Sequence, residues 1–157
     1  MSKSLKRVRA TLEAAGVTPD IRETALARTA IDAATALDCD VDQIAKSIVL
    51  RGENSGEALL FITAGAQQVD LARAAALAGE PLGKADAALI RAQTGFAIGG
   101  VAPLGHLTPP RAWFDRSLLK FPLVWAAAGT PHHVFCLGPQ EMAQLSNAQV
   151  SDFVVKN

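Results

Sequence analysis

Tyrosine is missing from this 157-residue chain, and aromatic side chains make up only 5% of it. Its core must therefore be mostly aliphatic. There is no excess charge of either sign: Lys+Arg and Asp+Glu both total 15, so formal net charge is zero. A protein held on nucleic acid by charge alone would be basic. This chain can offer at most a local basic patch, from Lys3, Lys6, Arg7 and Arg9 or from the scattered Lys84, Arg91, Arg111, Arg116 and Lys120. The N-terminal group reads as the solvated face of a surface helix. The two cysteines, Cys39 and Cys136, lie far apart without C-x-x-C spacing. That usage fits reduced thiols and a cytoplasmic location. No apolar h-region follows the basic N-terminus. No run approaches the roughly 18 apolar residues of a membrane span, so no membrane contact is expected.

Familiar chemical signatures are also missing. There is no G-x-S-x-G elbow and no Walker or dinucleotide fingerprint. His106, His132 and His133 are the only histidines, and no Cys/His/Asp cluster has zinc spacing. Neither a metal nor a cofactor is expected. Neither cysteine has a sequence neighbour that would favour a thiolate. An enzyme built from this chain would position substrate and water rather than form a covalent intermediate.

Half the residues are hydrophobic and 19% are charged, which argues for a folded chain. The length predicts one domain spanning 1–157 with a core that needs no disulfides. Leu5, Val8, Leu12 and Ala15 recur at helical spacing before Gly16. Pro19 to Leu26 reads as extended. Thr29 to Asp32 approximates a capping box opening a short helix through Leu37. A second helix start at Asp40–Gln43 carries Ile44 and Ala45. Lys46–Arg51 and Ala58–Thr63 read as a β-hairpin. Val69–Ala78 and Asp86–Gln93 read as helices stopped by Gly79 and Gly95, with Asp86 as N-cap. Phe96–Ile98, Leu123–Ala127 and His133–Leu137 read as strands, and Pro139–Leu145 as a last helix. This order fits a mixed α/β, α+β-like fold with a curved sheet better than a doubly wound one.

Two features stand out chemically. Gly99-Gly100-Val101-Ala102-Pro103-Leu104-Gly105 places three glycines and a proline in seven residues. Such a loop is either a tight turn or a site that reads a small group with main-chain N–H and C=O. Lys46 shares a strand face with Ile48 and Leu50. It either snorkels at the strand's end or aims a cation into a pocket, as a point charge for phosphate or carboxylate. An unpaired lysine on an apolar face costs free energy, so its removal is expected to leave stability unchanged or raised. His132 in the Gly129-Thr130-Pro131 turn could line a pocket, whereas His133 starts a strand.

Gln43-Ile44-Ala45-Lys46-Ser47-Ile48-Val49-Leu50 resembles the lysine-bearing strand of the YbaK / prolyl-tRNA-synthetase-associated editing domains. Thr94 to Gly105 resembles their substrate loop, with Gly99-x-x-x-Pro103 as its G-x-x-x-P motif. Gly65 to Asp70, Asp115-Arg116-Ser117-Leu118 and Ala128 to Phe135 match the rest of the pattern in order. The resemblance implies a curved, barrel-like mixed sheet flanked by helices. It also implies hydrolysis of the ester joining a wrong amino acid to tRNA, usually tRNA for proline, by a free-standing, trans-acting member. On that analogy Lys46 neutralises phosphate near the tRNA 3′ end. Gly99, Gly100, Val101, Ala102 and Pro103 hold the aminoacyl group, and Gly129 and His132 border its pocket. The terminal ribose hydroxyl would assist water, which accounts for the missing nucleophile. Aminoacyl-tRNA and prolyl-tRNA synthetase are the implied partners. The loop and its alanine-rich surroundings suit a small residue, alanine or 2-aminobutyrate. A pocket that only excludes larger groups discriminates by about 1–3 kcal/mol per methylene. The alternatives are a cysteinyl-tRNA deacylase of the same family, a non-catalytic tRNA-binding module, or an enzyme acting on a small phosphorylated metabolite.

Overall fold

A computed structural model of the chain describes residues 2–27 and 29–156. In chain order the elements are α1 (Lys3–Ala14), β1 (Ile21–Glu23), α2 (Ala30–Leu37), a 3₁₀ turn (Val41–Gln43), β2 (Ala45–Gly52), β3 (Ala58–Ala64), α3 (Leu71–Ala78), β4 (Leu82–Lys84), α4 (Ala87–Thr94), β5 (Ala112–Asp115), a second 3₁₀ turn (Arg116–Lys120), β6 (Val124–Thr130), β7 (His133–Leu137), α5 (Pro139–Leu145) and β8 (Ala148–Ser151). The helix ends follow the expected chemistry. Thr29, Asp70 and Asp86 each accept main-chain N–H bonds at an N-cap, and Gly79 and Gly95 close helices in the left-handed region.

The fold is mixed α/β, with two sheets. One has order β1-β7-β6 and is antiparallel. The other has order β4-β2-β3-β5-β8, with parallel pairing at β3–β5 and β5–β8. All seven residues of β3 are buried, which is why Ala58–Ala64 reads as an unbroken apolar run. Leu60, Ile62 and Ala64 face the main core, with Leu5, Val8 and Leu12 of α1. Leu59 and Phe61 face a second cluster with Ala74 and Ala78 of α3. There Phe61 stacks on Trp113 with ring centroids 4.9 Å apart and meets Phe153 edge-on at 5.2 Å. Such pairs add about 0.5–1.5 kcal/mol beyond area burial. A third cluster joins Ala33 and Ala34 of α2 to Ile44, Trp125 and Val134.

Three expectations are corrected. The sheet does not close into a barrel: between the two sheets there is a single parallel bridge, from Ile44 just ahead of β2 to Trp125 of β6. Asp40–Gln43 caps only a single 3₁₀ turn, and Ala45 already belongs to β2 because its ladder with Ala64 begins there. Phe96–Ile98 is not a strand. Phe96 is fully buried under the Arg7 guanidinium, 4.6 Å from its ring centroid. The chain then turns at once, the Gly100 N–H donating to the Ala97 carbonyl at 3.0 Å. The apolar run is a packing anchor rather than a ladder.

Candidate active site

The open seam between the sheets holds a cleft of about 590 Å³. One wall is β2, contributing five consecutive residues, Ala45 to Val49. The facing wall is β6 at Trp125, Ala126 and Ala127, continued by Thr130, His133 and Val134. α2 supplies Ala30, Ile31 and Ala33, and the glycine loop supplies Ile98, Gly99 and Val101. Most of this lining is small or aliphatic. Among the described residues that line it, Lys46 is the one with a full charge.

Lys46 neither snorkels freely nor stands unpaired. Its ammonium donates to the Gly65 carbonyl at 3.0 Å and to the Gln67 carbonyl at 2.6 Å. A lysine ammonium carries three donors, so one remains. The turn that supplies these carbonyls is fixed from below, the Ala66 N–H donating to the Asp42 carboxylate at 2.9 Å. Burial pushes the Lys46 pKa down from its ordinary value, while Asp42 and Asp115 pull it back up. Asp115 is itself buried and accepts from the Ala64 N–H, the Ser117 N–H and the Ser117 hydroxyl. It ties the end of β3 to β5 rather than reaching the cleft.

The glycine loop is anchored along its length. Arg7 Nε donates to the Gly105 carbonyl at 2.7 Å. His106 Nε2 lies 2.6 Å from the Ala102 carbonyl, so that nitrogen carries the proton. His106 also meets Phe96 edge-on at 5.2 Å. Its Nδ1 is buried without a partner. Burial holds the imidazole pKa below its ordinary value, the Arg7 charge adds to the effect, and the bond to Ala102 opposes it. Gly99 sits at the cleft mouth with φ +90°, and a Cβ there would meet nothing within 4 Å. Gly100 is glycine for a different reason: a Cβ would lie 2.8 Å from Thr130 Cα. The loop thereby rests directly on the end of β6.

The proposed site residues are distributed unevenly. Lys46, Gly99 and Val101 line the cleft. Gly100, Ala102 and Pro103 are buried behind it and set the loop's height. Gly129, with φ +97°, packs against Ser4 of α1 at a register shift in β6 and is also behind the wall. His132 is exposed in the turn and is not among the lining residues. The histidine that lines the cleft is its neighbour His133, whose Nδ1 lies 2.7 Å from the Thr130 hydroxyl. The Thr130 oxygen also accepts from the His132 N–H at 3.1 Å. The sequence reading put the cleft histidine one position early because it had no register for β7. His133 pairs with Thr130 only after the bulge at Ala127–Thr130. Arg7 and His106 were likewise missed as loop supports. The fourfold step from Ala102 to His106 was the available signal.

The aminoacyl-tRNA editing domain model matches residues 24–145. The chain belongs to that family. A solved structure described as a candidate trans-editing enzyme for prolyl tRNA synthetase is 44% identical, with a TM-score of 0.91 and 99% of each chain covered. The hypothetical protein APE2540 is 25% identical with a TM-score of 0.87, over 95% of this chain and 99% of that one. The uncharacterised Bacillus subtilis (strain 168) protein YwhH is 30% identical over 118 residues, 75% of this chain and 74% of that protein. The editing-domain family, and the mixed α/β fold with it, are thus those the Lys46 strand and the Gly99–Pro103 loop pointed to. Among the described residues no helix is long and apolar enough to cross a membrane.

Proposed function

We propose that the protein is a trans-acting, cytoplasmic aminoacyl-tRNA deacylase of one domain that clears a small wrong residue, alanine or 2-aminobutyrate, from tRNA for proline. The observation that carries this reading is the cleft itself: a small-residue, mostly apolar space with one ammonium on its wall. Membership of the editing family and the similarity to a candidate prolyl trans-editing enzyme support it. Prolyl-tRNA synthetase is the matching partner.

In this reading the third donor of Lys46 meets a phosphate near the tRNA 3′ end. Two carbonyls hold the ammonium in place beforehand, so little side-chain freedom is lost on binding. Gly99 and Val101 bound the aminoacyl group, and the buried Gly100, Ala102 and Pro103 hold them in place. Water adds to the ester carbonyl carbon, the acyl C–O bond to ribose breaks, and a proton passes to the departing ribose oxygen. The neighbouring ribose hydroxyl orients the water, and the protein contributes position and charge. His133, steadied by Thr130, is the cleft group able to exchange a proton.

A deacylation panel tests this. tRNA for proline would carry alanine, 2-aminobutyrate, cysteine, serine or proline. Release of alanine or 2-aminobutyrate well ahead of proline is expected. Proline released faster than alanine refutes the specificity, and no release of any residue favours a binding module.

A further inference from the structure

β2 carries a stretch of strand edge that no other strand covers, and it lies inside the cleft. On β3 the Leu60 N–H donates to the Arg111 carbonyl and the Ala64 N–H to Asp115. Even-numbered residues of β3 therefore point their main chain toward β5, and odd-numbered ones toward β2. In the antiparallel register Phe61 and Thr63 oppose Ile48 and Lys46. Because hydrogen-bonded and open pairs alternate, Ser47, opposite Ile62, turns its N–H and C=O to the other edge. β4 covers that edge only from Leu50 to Gly52. At the opposite end the edge meets β6 only at the Ile44–Trp125 bridge. Ser47 lies between the two and lines the cleft. Its hydroxyl is buried without a partner among the described residues. Buried polar groups are ordinarily paired; the Ser47 hydroxyl, together with the open edge beside it, points to a missing ligand.

An α-aminoacyl ester offers the same pair of groups as one residue of a β-strand: an amine that donates and a carbonyl that accepts. We infer that the aminoacyl group docks on the open edge of β2 as a one-residue strand. Its amine donates to the Ser47 carbonyl, and its ester carbonyl accepts from the Ser47 N–H. This deepens the deacylase reading and rests on it for the identity of the ligand. It makes a free α-amine a recognition element, which neither Lys46 nor the glycine loop requires. It also disfavours proline, whose ring carbon replaces one amine hydrogen.

The probes are 3′-deoxy-3′-(L-alanylamino)adenosine, which has an amide in place of the ester, its propionyl analogue with hydrogen for the amine, and its isobutyryl analogue with a methyl group for the amine, neither of which has a donor there. Their affinities are compared by calorimetry, alongside hydrolysis of alanyl-tRNA. Losing a charge-assisted contact corresponds to about 10–150-fold, so both altered probes should bind at least about tenfold more weakly. Ser47→Pro removes the hydroxyl and an N–H that lies outside the β3 ladder, a position where strand edges tolerate proline, and the extended backbone of Lys46 before it is the one proline requires. A comparable loss for the alanyl probe is expected, and if that variant does not fold the probe series decides alone. Equal affinity for all three probes overturns the inference even if alanyl-tRNA is hydrolysed. So does failure of the alanyl probe to bind. Amine-dependent binding without hydrolysis keeps the inference and removes the deacylase reading.

Discussion

Lys46 shows how a single residue changes meaning once its partners are known. Its place on the strand face with Ile48 and Leu50 was legible from alternation, and so was the choice between a structural and a ligand-facing role. The Gly65 and Gln67 carbonyls were not legible, because nothing in a sequence says which turn will fold back over a strand's first residues. With them in place, the expected effect of Lys46→Ala on stability reverses. The substitution leaves two partly buried carbonyls without their donor, at a cost of about 1–3 kcal/mol. At roughly 2–4 °C per kcal/mol for a chain of this size, the thermal midpoint should fall by several degrees. If the third donor binds phosphate, the deacylation rate per folded molecule should also fall by about 10–150-fold at subsaturating tRNA. Lys46→Arg should restore part of both. A lowered midpoint with an undiminished rate would make Lys46 a purely structural residue.

The segment from Thr94 to His106 was recognisable by its glycines, but its supports were not. Arg7 lies about ninety residues upstream, and its two bonds to this segment, with the stack on Phe96, depend on how α1 packs. The same long-range packing turned Phe96 from an apparent strand residue into a buried anchor. His106 adds a pH dependence to the element. Burial disfavours its charged form: Nε2 donates to Ala102, and Nδ1 has no partner, so a proton added there would find no acceptor. The folded pKa therefore lies below the unfolded one, and below about pH 6.5 the unfolded chain binds the proton more readily. Stability should hold above that pH and fall as pH drops from about 6.5 toward the lower folded value. His106→Gln keeps a donor for the Ala102 carbonyl but cannot titrate. Denaturant midpoints between pH 7.5 and 5 should slope less for the variant than for the parent. Equal slopes would assign the acid sensitivity to other groups.

At the scale of the whole molecule, the sequence carried the hairpin, the helix caps and the mixed α/β class, because each is written in short-range spacing. It could not carry the pairing of β5 with β3 and β8, which joins segments far apart in the chain, nor the failure of β2 and β6 to close. That open seam gives the cleft its walls, so the least legible part of the fold is also the part that forms the site. Charge is the property that remains readable at this scale, and it bears on how tRNA would be held. Net charge is zero, and Arg22, Arg73, Arg111 and Lys156 are engaged by Asp20, Asp152 and Glu80. Lys46 lines the cleft, and the start of α1, where Lys3 and Lys6 are exposed, packs behind its wall through Ser4, which donates to the Gly95 carbonyl and lies against Gly129. Few phosphates can then be neutralised. Each contributes about −0.7 to −0.9 to the slope of log affinity against log salt, so a value between roughly −1 and −3 is expected for kcat/KM on mischarged tRNA. A slope of about −5 or steeper would mean a broad basic face outside the cleft region. A slope near zero would mean that Lys46 and α1 touch no phosphate and that the aminoacyl group alone supplies the affinity.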